Sequence, residues 1–193
     1  MSKSDPSSSK KEHNKTVRWV ITIFLVTILV SAVISLASEE LMERSTVAVA
    51  FIILFVIILI GIVFDIIGVA VTSADEKPFH SMAARKVPGS QEAIKLLRNA
   101  ERVSSICNDV VGDICGVVSG SAAATIAAQA FTASAEIAWP QLLMSALVAG
   151  FTVGGKAIGK TVAIGSCTQI VHFAGRVSWF FGHIPELFKK KNK

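Results

Sequence analysis

Charge is scarce in this sequence. Of 193 residues, 17% are Asp, Glu, Lys or Arg, while 52% are hydrophobic. A soluble domain carries about 25% charged residues, so a water-soluble globular fold is not expected. Cysteine is scarce as well: Cys107, Cys115 and Cys167 are the only three. An odd number placed in or beside apolar segments argues against a disulfide framework. No CxxC pair offers a zinc site, so the three read as small packing residues. Catalytic patterns are missing too. There is no HExxH, no Ser/His/Asp grouping and no Gly-rich phosphate loop, since Gly154-Gly155-Lys156 is only a two-glycine end to an apolar segment. His80 and the tail histidines read as surface residues. An enzyme is not expected.

Long apolar runs are what the chain does have. Val47 to Phe64 (VAVAFIILFVIILIGIVF) is free of polar side chains, and about 20 such residues cross a bilayer core of about 30 Å. Trp19 to Leu36 is a second run, interrupted only by Thr and Ser. The reading is an all-α integral membrane protein. It has four predicted transmembrane helices at roughly 18–37, 47–72, 103–131 and 138–158, with amphipathic juxtamembrane helices on the cytoplasmic side. Ser35-Leu36-Ala37 ahead of Ser38 also fits a signal-peptidase site, which would make the first span a cleaved signal.

The net charge is +5, from 19 Lys/Arg against 14 Asp/Glu. Its distribution points to the lipid bilayer rather than to nucleic acid. Residues 1–18 hold Lys3, Lys10, Lys11, Lys15 and Arg18; 73–102 hold Lys77, Arg85, Lys86, Lys95, Arg98 and Arg102. The tail holds Lys160, Arg176, Lys189, Lys190, Lys191 and Lys193, whereas the links at 38–46 and 132–137 are acidic. This alternation places both termini in the cytoplasm of a multi-pass cell-membrane protein.

The polar residues 1–17 are expected to be a disordered leader. After the turn at Pro88-Gly89, SQEAIKLLRNAERV carries Ala93, Leu96, Leu97, Ala100 and Val103 on one stripe, an amphipathic helix over 90–103. The tail 166–193 repeats the device with Ile170, Phe173, Val177, Phe180 and Ile184. Its Trp179 and basic residues suit the headgroup region and anionic lipid.

The third span is the most polar. At 100° per residue, Ser104, Asn108, Gly112, Cys115 and Ser119 share one face, and Asp109, Asp113, Gly116 and Gly120 run beside it. Gly112, Gly116, Gly120, Ala124 and Ala128 form a strip of small residues that suits close helix packing. A carboxylate within a bilayer costs at least about 2.5 kcal/mol. Asp109 and Asp113 therefore either pair with Arg102, Lys156 or Lys160, or belong to an ion site. Carboxylate, amide and hydroxyl oxygens are the ligands of a hard cation such as Mg²⁺. Asp65, with Thr72 and Ser73 further on, lies in the second span at a depth that antiparallel packing matches to 105–113.

Three segments resemble the transmembrane module of the CorC / cyclin M (CNNM) magnesium transporters. FDIIGVAVTSAD (64–75) is similar to the family's FSGLEIALLSLD at Phe64, Ala70, Ser73 and Asp75. LLRNAERVSSICNDVVG (96–112) is similar to its LLKDPERFLxxxLxGNTLVN at Leu96, Leu97, Glu101, Arg102 and Asn108. TVGGKAIGK (152–160) keeps Lys156-Ala157-Ile158-Gly159 of GEIIPKAIGR. The resemblance covers about 64–160 and implies a CorC/CNNM-like domain over 47–165, preceded by an extra span at 18–37.

What it implies is divalent-cation (Mg²⁺) binding and transport between the helices, in a homodimer. Carried over by position, Ser73 and Asn108 would be ligands. Asp65 stands where the family has a hydroxyl, and Gly112 stands for the second Asn, where a backbone carbonyl remains. Asp109 completes the candidate set from the sequence itself. The family's Glu positions are Gly68 and Thr152 here, and its Pro is Gly155. The resemblance implies exchange against sodium, but no residue here identifies the counter-ion. The CBS-domain pair that regulates the family is not expected. A non-transporting partner or regulatory subunit is therefore the alternative.

Overall fold

A computed structural model describes residues 6–43, 45–130 and 139–189, with side chains across 17–41, 45–129, 139 and 142–182. The described residues are helical, without a strand. They form α1 (Pro6–Glu43), α2 (Val47–Ser73), α3 (Lys77–Ala84), α4 (Ser90–Arg98), α5 (Ala100–Ser105), a π-helical turn (Ile106–Gly112), α6 (Asp113–Ala130), α7 (Trp139–Gly165) and α8 (Cys167–Lys189). Four stretches are long and apolar enough to cross a membrane: Val17–Leu41, Val47–Ser73, Ala100–Gln129 and Leu142–Gly165. The protein is thus an all-α, multi-pass membrane protein with shorter amphipathic helices at one end of its spans.

Three boundaries differ from the sequence reading. Helix α1 begins at Pro6, inside the segment expected to be a disordered leader. Proline fits the first helical turn, and no further proline or glycine interrupts the run into the apolar span. The fourth span continues past 158 to Gly165, because the exposed Lys160 sits near the helix end, where an ammonium can reach out of the apolar layer. The amphipathic helix expected over 90–103 stops at Arg98. Asn99 leaves the helical region at φ −114°, ψ 29°, and its Nδ2 donates to Lys95 O at 2.9 Å, satisfying a terminal carbonyl. The acidic Glu136 link, Ile184 and the terminal lysines lie outside the residues whose side chains are described.

Helix α2 is the hub. Towards its start, Ala50 and Leu54 pack with Ala122, Ala123 and Ile126 of α6 and Val148 of α7. Towards its end, Ala70 and Val71 pack with Phe79, Ala93 and Leu97 from α3 and α4, and with Ala163 and Val171 from α7 and α8. Phe79 is fully buried and anchors α3 beneath the bundle. Helix α1 docks outside this core, laying Ile23 and Val30 against Val110, Ile114 and Val118. Arg102 stacks over the Trp19 ring at 5.2 Å, tying α1 to α5.

The small amphipathic helices close one end of the bundle. Gly89, at φ 83°, lets the α4 entry meet α8, where a side chain would run into the Arg176 backbone at 2.6 Å. Trp179 lines a cavity of about 490 Å³ between α4 and α8 with Leu96, Asn99 and Val103. Helix α8 buries Val171 and Gly175 against the bundle and leaves Phe173, Phe180 and Phe181 exposed on another side.

Candidate functional site

The strip of small residues on the third span does not pack as expected. Side chains added at Gly116 or Gly120 would meet nothing within 4 Å, and Ala124 and Ala128 are exposed. Close approach is made by other glycines. On Gly61, a methyl would come within 2.9 Å of Cys115 Cβ; on Gly159, within 2.8 Å of Ile66 Cγ1. Gly68 lies directly against the Asn108 side chain, and Gly155 against Ile62. These contacts define the packing register. Helix α2 runs antiparallel to the third span, with Gly61 beside Cys115, Asp65 beside Gly112 and Gly68 beside Asn108. It runs parallel to α7, with Ile62 beside Gly155 and Ile66 beside Gly159. Hydropathy could not choose between the two faces of the third span, because lipid and protein interior are equally apolar.

That register brings three candidate residues to one seam. Asp65 is 5% exposed, so its carboxylate is withdrawn from lipid and water alike. Asn108 and Gly112 both lie in the π-helical turn. Such turns are rare and frequent at functional sites. Asn108 Nδ2 donates to Ser104 Oγ at 3.1 Å. Two buried acceptors in the seam have no hydrogen-bond partner, Asp65 Oδ2 and Asn108 Oδ1. Buried polar atoms are nearly always paired, so each of these two oxygens is open to a donor or a cation.

A fourth residue enters from α7. Lys156 Nζ lies 3.6 Å from Asp65 Oδ1 and 3.5 Å from Gly112 O. Its side chain is 22% exposed. The sequence reading offered Lys156 as a neutraliser of Asp109 or Asp113; its partner is Asp65 instead. The available signal was the parallel register of spans two and four, with Gly155 and Gly159 flanking Lys156.

The other two candidates lie elsewhere. Ser73 closes α2 and is exposed, eight residues beyond Asp65 and hence about 12 Å along the axis. Asp109 is exposed and accepts a hydrogen bond from Ser105 Oγ at 2.8 Å. Asp113 is exposed on the same side. Among the described residues, no three His, Cys, Asp or Glu side chains converge as a metal cluster. Any cation held in the seam would draw on one carboxylate plus amide and backbone oxygens, a donor set suited to hard ions.

The fold therefore defines a multi-pass α-helical membrane protein with a buried polar seam between three of its spans. No protein-family model matches the chain, and no curated protein matches it in sequence.

Proposed function

We propose that the protein binds a divalent cation, Mg²⁺, in the seam formed by Asp65, Asn108 and the Gly112 carbonyl, and carries it across the cell membrane. The observation that carries this reading is the pair of buried acceptors without partners, Asp65 Oδ2 and Asn108 Oδ1. Both belong to residue types that ligate hard cations. The π-helical turn and the resemblance to the CorC/CNNM membrane module support the same reading. In it both termini are cytoplasmic, and the exposed apolar side of α8 lies at the headgroup boundary beside Arg176. Two copies associate through the open small-residue face of the third span.

One observation favours a second reading. Lys156 already compensates Asp65, as a purely structural pair would in a partner subunit that has lost its ion path. Thermal unfolding of the purified protein with and without Mg²⁺ separates them. An ion that binds only the folded state at 100 times its Kd adds about 2.7 kcal/mol, which raises Tm by roughly 5–11 °C for a chain of this size. Asp65→Ala and Asn108→Ala should abolish the shift, and proteoliposomes should take up Mg²⁺. A wild-type Tm indifferent to saturating Mg²⁺ defeats the ion-site reading. Binding without uptake leaves a binder rather than a transporter.

A further inference from the structure

We infer that Lys156 is a tethered substitute for the cation: its ammonium occupies the seam when the ion is absent and is displaced when the ion binds. The inference rests on the proposed ion site and adds what keeps that site electrically balanced while empty.

The geometry carries it. Nζ reaches both a carboxylate oxygen and a backbone carbonyl of the candidate set, Asp65 Oδ1 at 3.6 Å and Gly112 O at 3.5 Å. These are cation ligands, and no other basic side chain among the described residues contacts either of them. Gly112 eases the approach, since a Cβ there would lie 3.2 Å from Nζ and the ammonium would have to give by a few tenths of an ångström. The contacts are nevertheless long. Charge-assisted N–H···O bonds close to about 2.7–2.9 Å, and Asp65 Oδ2 has no partner at all. A buried ion pair is held firmly only when its geometry is good and its remaining lone pairs are satisfied. Neither holds here, so the ammonium is loosely seated.

Charge forbids joint occupancy. Asp65 with Lys156 is neutral. Adding a divalent ion beside the ammonium would set three positive charges against one carboxylate in a site of low polarity. The ion must therefore expel the lysine. Lys156 has somewhere to go, because its side chain is already partly exposed and its stem can swing the head away from the seam. In the empty protein the lysine spares the membrane an unpaired carboxylate, and in the loaded protein it is free.

The test compares wild type, Lys156→Gln and Lys156→Met by Mg²⁺ titration, read by calorimetry and by Tm. Removing the competing charge should lower the Kd for Mg²⁺ by roughly tenfold or more. Without Mg²⁺ both variants should melt below wild type, and Mg²⁺ should restore them. Asp65→Asn/Lys156→Met, which removes both charges, should recover stability without Mg²⁺ and stay indifferent to it; this also shows that the lysine position tolerates substitution. If wild type and variants bind Mg²⁺ equally well, or the variants bind it more weakly, the inference falls while the ion site stands. If none of them binds, the ion site itself falls and the inference with it. If only the variants bind, Lys156 is a fixed plug, and both displacement and transport are overturned.

Discussion

Gly68→Ala removes nothing from the protein and adds one methyl group at the tightest point of the seam. That methyl would lie 2.8 Å from Asn108 Cγ and 3.1 Å from Nδ2, and closer still to Oδ1. Asn108 must therefore leave its position and give up its bond to Ser104. Overpacking a tight site costs about 1–3 kcal/mol, and a lost hydrogen bond about 1 kcal/mol. Against these, alanine is a better helix former than glycine by about 0.5–1 kcal/mol. The net expectation is a loss of about 1–3 kcal/mol. With Asn108→Ala already present, the methyl has room. Only the helix term then remains, so the same change should be neutral or stabilising by up to about 1 kcal/mol. The coupling between the two positions is thus about 2–4 kcal/mol. Reversible unfolding of the four proteins in detergent micelles measures it. Additivity within about 0.5 kcal/mol, as found for sites that do not touch, would refute both the register and the placement of Asn108.

The outer face of the third span makes a contrasting prediction. At Gly116 and Gly120 an added Cβ meets nothing within 4 Å, so Gly116→Leu and Gly120→Leu should not destabilise the monomer and should stabilise it by up to about 1 kcal/mol through helix propensity. If two copies associate through this face, native mass spectrometry should show the dimer weakened by the same substitutions, and an intact dimer excludes that face as the interface. Orientation is tested by single cysteines in a background where Cys107, Cys115 and Cys167 are replaced. Thr46→Cys, at the end of the bundle away from α3 and α4, should react with an impermeant maleimide on intact cells, while Ala84→Cys should not. The reverse labelling would invert the topology.

The spans were legible because an unbroken apolar run such as Val47 to Phe64 suits the interior of a bilayer and little else, and the loop charges offered an orientation without any packing. Helical periodicity sorted the third span correctly into two faces: Asn108, Gly112, Cys115 and Ser119 look inward, while Asp109, Asp113, Gly116 and Gly120 look out. Which face was inner could not be read. In water the apolar face marks the core, but here both faces carry polar side chains, Asn108 and Ser119 on one and Asp109 and Asp113 on the other, and small residues suit protomer packing and subunit packing equally. The π-helical turn was invisible for a different reason. It inserts one residue's worth of rotation without a residue type that announces it; Asp109 remained a candidate ligand because the inner face could not be told from the outer one. Lys156 was recognised as a neutralising charge, but its partner depended on the depth of α7 relative to α2, which Gly155 and Gly159 set by admitting Ile62 and Ile66.

Gly112 links these observations. Under the proposed kinship it departs from a pattern that has Asn at its position, and it reads at first as a ligand lost. The space at this position suggests another role for the glycine. A side chain at 112 would begin 3.2 Å from Lys156 Nζ and 3.6 Å from Asp65 Oδ1, in the space the ammonium now uses. The same seam also carries Asp65, a full charge, where that pattern has a neutral hydroxyl. A buried carboxylate in the membrane is stabilised by a counter-charge, and the absence of a side chain at 112 leaves Lys156 room to supply it. Asp65, Gly112 and Lys156 are therefore one coordinated arrangement. Replacing any one of them changes the charge or the space on which the other two depend, so substitutions among the three should be strongly non-additive.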